Sequence, residues 1–197
     1  MTGRSTLQSG GMMALITAST FTMAAALHYQ TPILAEFGRE VALGPAEVGL
    51  IATLAFGGFL LGNIFLVPLG DVMDKKHLIV GKLTGLLAMQ AIIATTVSYP
   101  VLLAACFLTG VCSSVSQDVI PYASGLAAPE ERGKAVGTVL SGLFLGILFG
   151  RIGGGWVAEQ FGWRWIYWLS VALLAVTLAA LWVRLPLAPA RMSMPYG

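Results

Sequence analysis

The chain is 197 residues long, 57% hydrophobic and only 10% charged, with a mean hydropathy of +0.83. Water-soluble domains carry about 25% charged residues, so a globule of this composition has too few polar groups to cover its surface. A soluble bundle is excluded, and lipid is the solvent for much of the chain.

Charge-free runs locate the spans, because a helix needs roughly 20 apolar residues to cross a ~30 Å hydrocarbon layer. The first run, Ser5 to Ala35, predicts a helix over Met12–Leu34. Ala24-Ala25-Ala26 is similar to a signal-peptide cleavage site, but the apolar stretch is long and Arg4 is the lone cation before it, so an uncleaved span is expected. His28, Tyr29 and Gln30 stand near its far end as candidates for a substrate or proton pathway. The second run, Val48 to Gly70, predicts a helix over Val48–Leu69. A short loop follows, containing Pro68, Gly70, Asp71, Lys75 and Lys76. The long run from Leu83 to Gln117 is divided by the turn signal Ser98-Tyr99-Pro100. That division predicts spans at Leu78–Val97 and Val101–Leu126.

On a wheel of the fourth span, at ~100° per residue, Leu108, Val111, Val115, Val119 and Leu126 share one arc and are expected to face lipid. Thr109, Ser113, Gln117 and Ser124 lie opposite, which makes Gln117 a cavity-lining candidate. Asp118 lies on the flank with Ser114 and Gly125, and two readings stay open for it: proton or substrate contact, and a structural hydrogen bond or salt bridge. Cys106 and Cys112, six residues apart in the same span, form neither a disulfide framework nor a zinc pattern, and no metal or cofactor is expected.

The fifth span is predicted at Ala135–Ala158 and the sixth at Trp165–Val183. Gly142, Gly146, Gly150 and Gly154 recur every four residues in the fifth, and Gly133, Gly137 and Ser141 form a second row. Small residues at that spacing let helix backbones approach closely in lipid. Arg151 interrupts the span, where a charge costs about 2.5–3.5 kcal/mol at the helix centre. It reads as a ligand or gate residue, with packing or snorkelling as the alternative. A rise of ~1.5 Å per residue puts Asp118 ~13 Å and Arg151 roughly 25 Å from the same membrane edge, which disfavours a direct pair.

Lysine and arginine collect in cytoplasmic loops. With the first residues inside, the inner side holds Arg4, Lys75, Lys76, Lys82, Arg132, Lys134, Arg184 and Arg191, and the outer side only Arg39 and Arg164. Both termini are therefore expected in the cytoplasm. The cluster Phe161-Gly162-Trp163-Arg164-Trp165-Ile166-Tyr167-Trp168 then forms an aromatic belt at the outer interface.

The loop Val67-Pro68-Leu69-Gly70-Asp71-Val72-Met73-Asp74-Lys75-Lys76 resembles GxLaDxxGRK, a signature of the major facilitator superfamily, at the same place after the second span. Val67 and Asp74 stand where that signature has glycines. Gly146 to Gly155 is similar to the antiporter motif GxxxGPxxGG of the fifth span, with Arg151 in place of proline. His28-Tyr29-Gln30-Thr31-Pro32-Ile33-Leu34, Pro129-Glu130-Glu131-Arg132-Gly133 and Phe161-Gly162-Trp163-Arg164 are similar to segments of bacterial drug and sugar efflux members. The fourth-span motif RxxqG is represented by Cys106-Phe107-Leu108-Thr109-Gly110, so the proton-relay role of its arginine is not carried over.

The resemblance implies an all-α membrane protein with the N-terminal six-helix bundle of the major facilitator fold, spanning residues 1–185, with 186–197 starting a central cytoplasmic loop. Residues Pro68, Gly70, Asp71, Lys75 and Lys76 would form the inner gate motif, in which the aspartate closes against a helix of the other half. The function expected is half of a proton-coupled exporter of small organic molecules in the cell inner membrane, inactive alone as a truncated product. Its partners would be the bilayer, a small-molecule substrate and a missing C-terminal half or second copy, with no nucleic acid. A six-span channel or a non-transporting scaffold is the alternative. An intramembrane protease is disfavoured, since Pro68-Leu69-Gly70-Asp71 lacks the first glycine of GxGD and Ser141-Gly142 has no GxSG setting.

Overall fold

A computed structural model of the protein describes residues 10–40 and 42–185. Among these residues every regular element is a helix. The first span consists of α1 (Gly10–His28), continued by α2 (Gln30–Glu40). The second is α3 (Pro45–Leu61), ending in a π-helical turn at Gly62–Leu66, and α4 (Leu69–Val72) lies in the loop after it. The third is α5 (Lys75–Thr95), and the fourth is divided into α6 (Tyr99–Ser113) and α7 (Val115–Leu126). The fifth and sixth are α8 (Arg132–Phe161) and α9 (Trp163–Arg184). Six stretches are long and apolar enough to cross a membrane. The expected central loop at 186–197 lies outside the described residues.

Helix ends differ from the expected ones where local chemistry decides. The first-span helix breaks for one residue at Tyr29 and runs on to Glu40 rather than ending at Leu34. Pro32 has no N–H to offer the carbonyl four residues back, so the interruption falls one turn ahead of it. The third-span helix starts at Lys75, because the Asp74 carboxylate accepts the Lys76 N–H at 2.8 Å and caps it. Gly162, at φ 89°, closes α8 and opens α9, a backbone conformation that suits glycine.

The fourth span is where a single wheel fails. The chain breaks at Ser114 (φ −57°, ψ −13°), whose N–H bonds Val111 three residues back rather than four. The break resets the phase of α7, so Val115 and Val119 are buried and not on a lipid face, while Leu108 in α6 remains 42% exposed. Pro121 lies inside α7 as well.

The bundle is held by close backbone approaches. α8 packs on α1, α3 on α6, and α5 on both α9 and α6. A Cβ on Gly142 would lie 2.6 Å from the Thr17 carbonyl oxygen, one on Gly146 closer still to the Phe21 carbonyl, and one on Gly150 3.0 Å from that of Ala25. The contact thus repeats every four residues on both helices. Gly133 and Gly137 have nothing within 4 Å, so the second row does not pack. Gly58, Gly62 and Gly110 make an equally tight seam between α3 and α6. Gln90, fully buried, donates from Nε2 to the Ala26 carbonyl at 2.9 Å and ties the third span to the first.

Candidate functional site

Helices α1, α3, α6, α7 and α8 surround a cavity of about 200 Å³. Its apolar wall includes Phe56, Phe59, Leu143 and Ile147, and its polar groups are His28, Ser113, Ser116 and Gln117. The His28 Nδ1–H donates to the Ala24 carbonyl at 2.9 Å, which fixes the ring and leaves Nε2 free, and the ring meets Phe56 edge-on with centroids 6.1 Å apart. Ser113 Oγ is buried with no hydrogen-bond partner. Beside the cavity, α3, the π-helical turn after it and α8 present large apolar side chains outward, among them Leu60, Phe65, Phe144 and Ile152, each at least 59% exposed.

Arg151 is exposed on α8, eight residues past Leu143 and four past Ile147 on the same ridge. Its neighbour Gly150 brings α8 against the first span: a Cβ there would lie 3.3 Å from His28 Cβ. His28, Gln117 and Arg151 are thus brought to one side of the bundle. Tyr29 and Gln30 are not. Tyr29 is buried against Gly154, and Gln30 is buried beside Leu34 and Phe37 with Nε2 unpartnered.

A second arrangement forms at the end of the bundle that carries the loop lysines. Asp118 and Lys82, each only 4% exposed, pair at 2.6 Å between Oδ2 and Nζ. Lys82 is therefore not a loop residue. It sits two turns inside α5, about 10 Å from Lys75 along the helix. Asp118 is about 12 Å from the matching end of α7 by the same rise, so the two meet in depth. The other Asp118 oxygen is 3.9 Å from where a Gly70 Cβ would be, and Val67, Pro68, Gly70, Lys75, Asp118 and Pro121 enclose a cavity of about 190 Å³. Lys76 projects over Trp182 of α9, 5.7 Å from the ring centroid. Asp71 falls in α4, and its side chain lies outside the described set.

At the opposite end, the Glu40 carboxylate accepts from the Trp163 indole and the Arg164 guanidinium. Arg164 also reaches the Thr96 carbonyl at 3.5 Å and stacks 4.3 Å from the Trp163 ring centroid. Phe37 meets the same indole edge-on at 5.0 Å. Burial pushes the Glu40 carboxyl up, but the hydrogen bonds and charge of Arg164 and Trp163 outweigh it and hold the group below its ordinary value of 4.5. Trp163 and Arg164 of the aromatic cluster thus join three inter-helix turns.

Residue-by-residue reading missed Lys82, the α3–α6 glycine seam and the Glu40 clamp. The seam had a visible signal in Gly58-Phe59-Leu60-Leu61-Gly62. Glu40 and Lys82 had none, because each partner is far away in sequence.

The chain is 37% identical over 178 residues to the uncharacterized transporter YgaY of Escherichia coli O157:H7, a match covering 90% of this chain and 45% of that one. It is 31% identical over 141 residues to the efflux pump FUB11 of Gibberella fujikuroi, covering 69% of this chain and 25% of that one. The chain thus spans less than half the length of these relatives. In fold it is similar to a bacterial homologue of the human lysosomal transporter Spinster, solved inward-facing and unoccupied, with a TM-score of 0.79 at 16% identity over 100% of this chain and 46% of that one. The human organic anion transporter MFSD10 matches at a TM-score of 0.68 and 14% identity, over 93% and 49% of the two chains. The sequence profile of the Major Facilitator Superfamily matches residues 10–194. Six apolar spans in this arrangement and a matched profile over nearly the whole length have one reading: the chain is a six-helix, N-terminal bundle belonging to the major facilitator superfamily.

Proposed function

We propose that this chain is the N-terminal half of a proton-coupled secondary transporter that exports small organic molecules. It works in the cell inner membrane, with both termini cytoplasmic, against a second six-span half. Transporters of this type place the substrate between two repeats that rock about it. The observation that carries the reading is the cavity at His28, Phe56 and Gln117, flanked by the outward-facing apolar side chains of α3 and α8. Such a surface is half of a cleft. No catalytic chemistry enters this reading.

Within it, His28, Gln117 and Arg151 face the transport path, and Tyr29 and Gln30 support the wall from behind. Lys82 and Asp118 act as a latch beneath the gate motif of Pro68, Gly70, Asp71, Lys75 and Lys76, and His28, whose Nδ1 is held by Ala24 and whose Nε2 is left for a proton, is the carrier assigned in this reading. The glycines Gly142, Gly146, Gly150 and Gly154 keep α1 and α8 moving as one body.

The test is efflux from bacterial cells carrying this chain fused to the second half of its E. coli relative YgaY. Cells expressing the fusion should hold less of at least one fluorescent organic solute than control cells, and a protonophore should abolish the difference. Equal accumulation across a broad panel, with the fusion present in the membrane, contradicts export.

A further inference from the structure

We infer that the cavity takes amphipathic organic anions, with the Arg151 guanidinium holding the acidic group; this deepens the transporter reading and rests on it. Arg151 lies about 28 Å along α8 from Arg132, inside a helix about 45 Å long, so it is well within the span. Among the described residues it has no ion pair or hydrogen bond, whereas Lys82 and Arg164 each have a carboxylate. A guanidinium at that depth is costly unless it faces a cavity and meets an acid. Arg151 stands at the cavity's rim rather than in its lining: it is exposed one turn along α8 from the lining residue Ile147, and its neighbour Gly150 lies against His28.

The surroundings define what that acid belongs to. The cavity lining contains no carboxylate, and the nearby Asp118 is already neutralised by Lys82. An organic cation would meet Arg151 with nothing to compensate it. A carboxylate or sulfonate matches the planar fork of arginine with two parallel bonds. Beyond the charge, Phe56 and Phe59 offer aromatic surface, and the Gln117 amide and unpartnered Ser113 hydroxyl offer hydrogen bonds. The ligand so described has an acidic head and an apolar, ring-bearing body.

The probes are 4-benzoylbenzoate and its uncharged methyl ester, photolysed with the 197-residue chain in phosphatidylcholine nanodiscs and mapped by mass spectrometry. The carboxylate should label cavity-lining peptides of α1, α3 and α7 roughly tenfold more than the ester, the ratio expected of a charge-assisted bond. Arg151→Gln should remove the excess, Arg151→Lys should keep only the part that charge alone supplies, and naphthalene-2-sulfonate should compete in the unaltered chain. Equal labelling by both probes, or no competition by the sulfonate, overturns the anion assignment while leaving the cavity intact. If neither probe reaches the cavity peptides, the transporter cavity itself is refuted. In phosphatidylglycerol nanodiscs the excess should persist; its loss there assigns the site to lipid headgroups and overturns a solute site.

Discussion

Lys82 and Asp118, thirty-six residues apart, are joined at 2.6 Å in a part of the bundle where each is only 4% exposed. Removing one partner of such a pair leaves an uncompensated buried charge, at a cost of about 3–5 kcal/mol, whereas replacing both with apolar groups is often neutral. Lys82→Met alone should therefore lower the thermal midpoint in detergent sharply, and the double variant Lys82→Met, Asp118→Leu should recover most of the loss. In a fusion with a second half, the double variant should keep gradient-driven flux. Loss of drive at normal abundance would make Asp118 the proton carrier after all.

The seam between α1 and α8 predicts an asymmetry between two glycines of one helix. Gly146→Ala drives a methyl group into the Phe21 backbone, which cannot rotate away, and should cost about 1–3 kcal/mol. Gly137→Ala meets nothing within 4 Å and should be neutral or slightly stabilising through helix propensity. Thermal unfolding of the two variants side by side checks this. Equal midpoints would mean that the helices do not touch along this row.

Glu40 predicts an acid-sensitive clamp. Its folded-state pKa is lowered, so its contribution is fully present above the unfolded value near 4.5 and is lost as pH falls through the lower, folded value. The carboxylate is 43% exposed, so solvent screening keeps the contribution small. As pH falls below 4.5, the stability of the unaltered chain should fall more than that of Glu40→Gln, while above that value the two profiles should run parallel. Parallel profiles below 4.5 as well would remove the clamp from the account.

The gate motif predicts a loss of function without loss of protein. In the fusion with a second half, Asp71→Asn should reduce flux several-fold while membrane abundance stays near normal. A helix-end charge with no gating role would leave flux unchanged.

How legible these features were in the amino-acid sequence depended on how local their physics is. Charge-free runs are local, and each of the six spans they predict coincides with a helix long and apolar enough to cross a membrane, because each helix satisfies its own backbone bonds in lipid. Glycine spacing is local too, and of that row Gly142, Gly146 and Gly150 meet α1, while Gly154 meets Tyr29 and Pro32 beyond it. The phase of the fourth span was misjudged because a wheel assumes an unbroken helix, and Ser114 breaks it. Lys82 was counted with the inner-side cations although the predicted span Leu78–Val97 contained it, because sorting cations by side says nothing of whether a side chain is buried. Its partner Asp118 was visible as an in-membrane charge, and depth already argued against Arg151, but nothing local in the sequence pairs Asp118 with a lysine thirty-six residues away.

The central claim is that this chain forms one wall of a shared cleft, and proteoliposomes with an imposed pH gradient test it most directly. The chain alone and the chain fused to the second half of YgaY are reconstituted separately and assayed with the same fluorescent organic anions. Six spans can insert without a partner, but alternating access needs a second bundle to move against. The account predicts saturable, gradient-driven flux from the fusion and none from the chain alone. Saturable flux from the chain alone would contradict it.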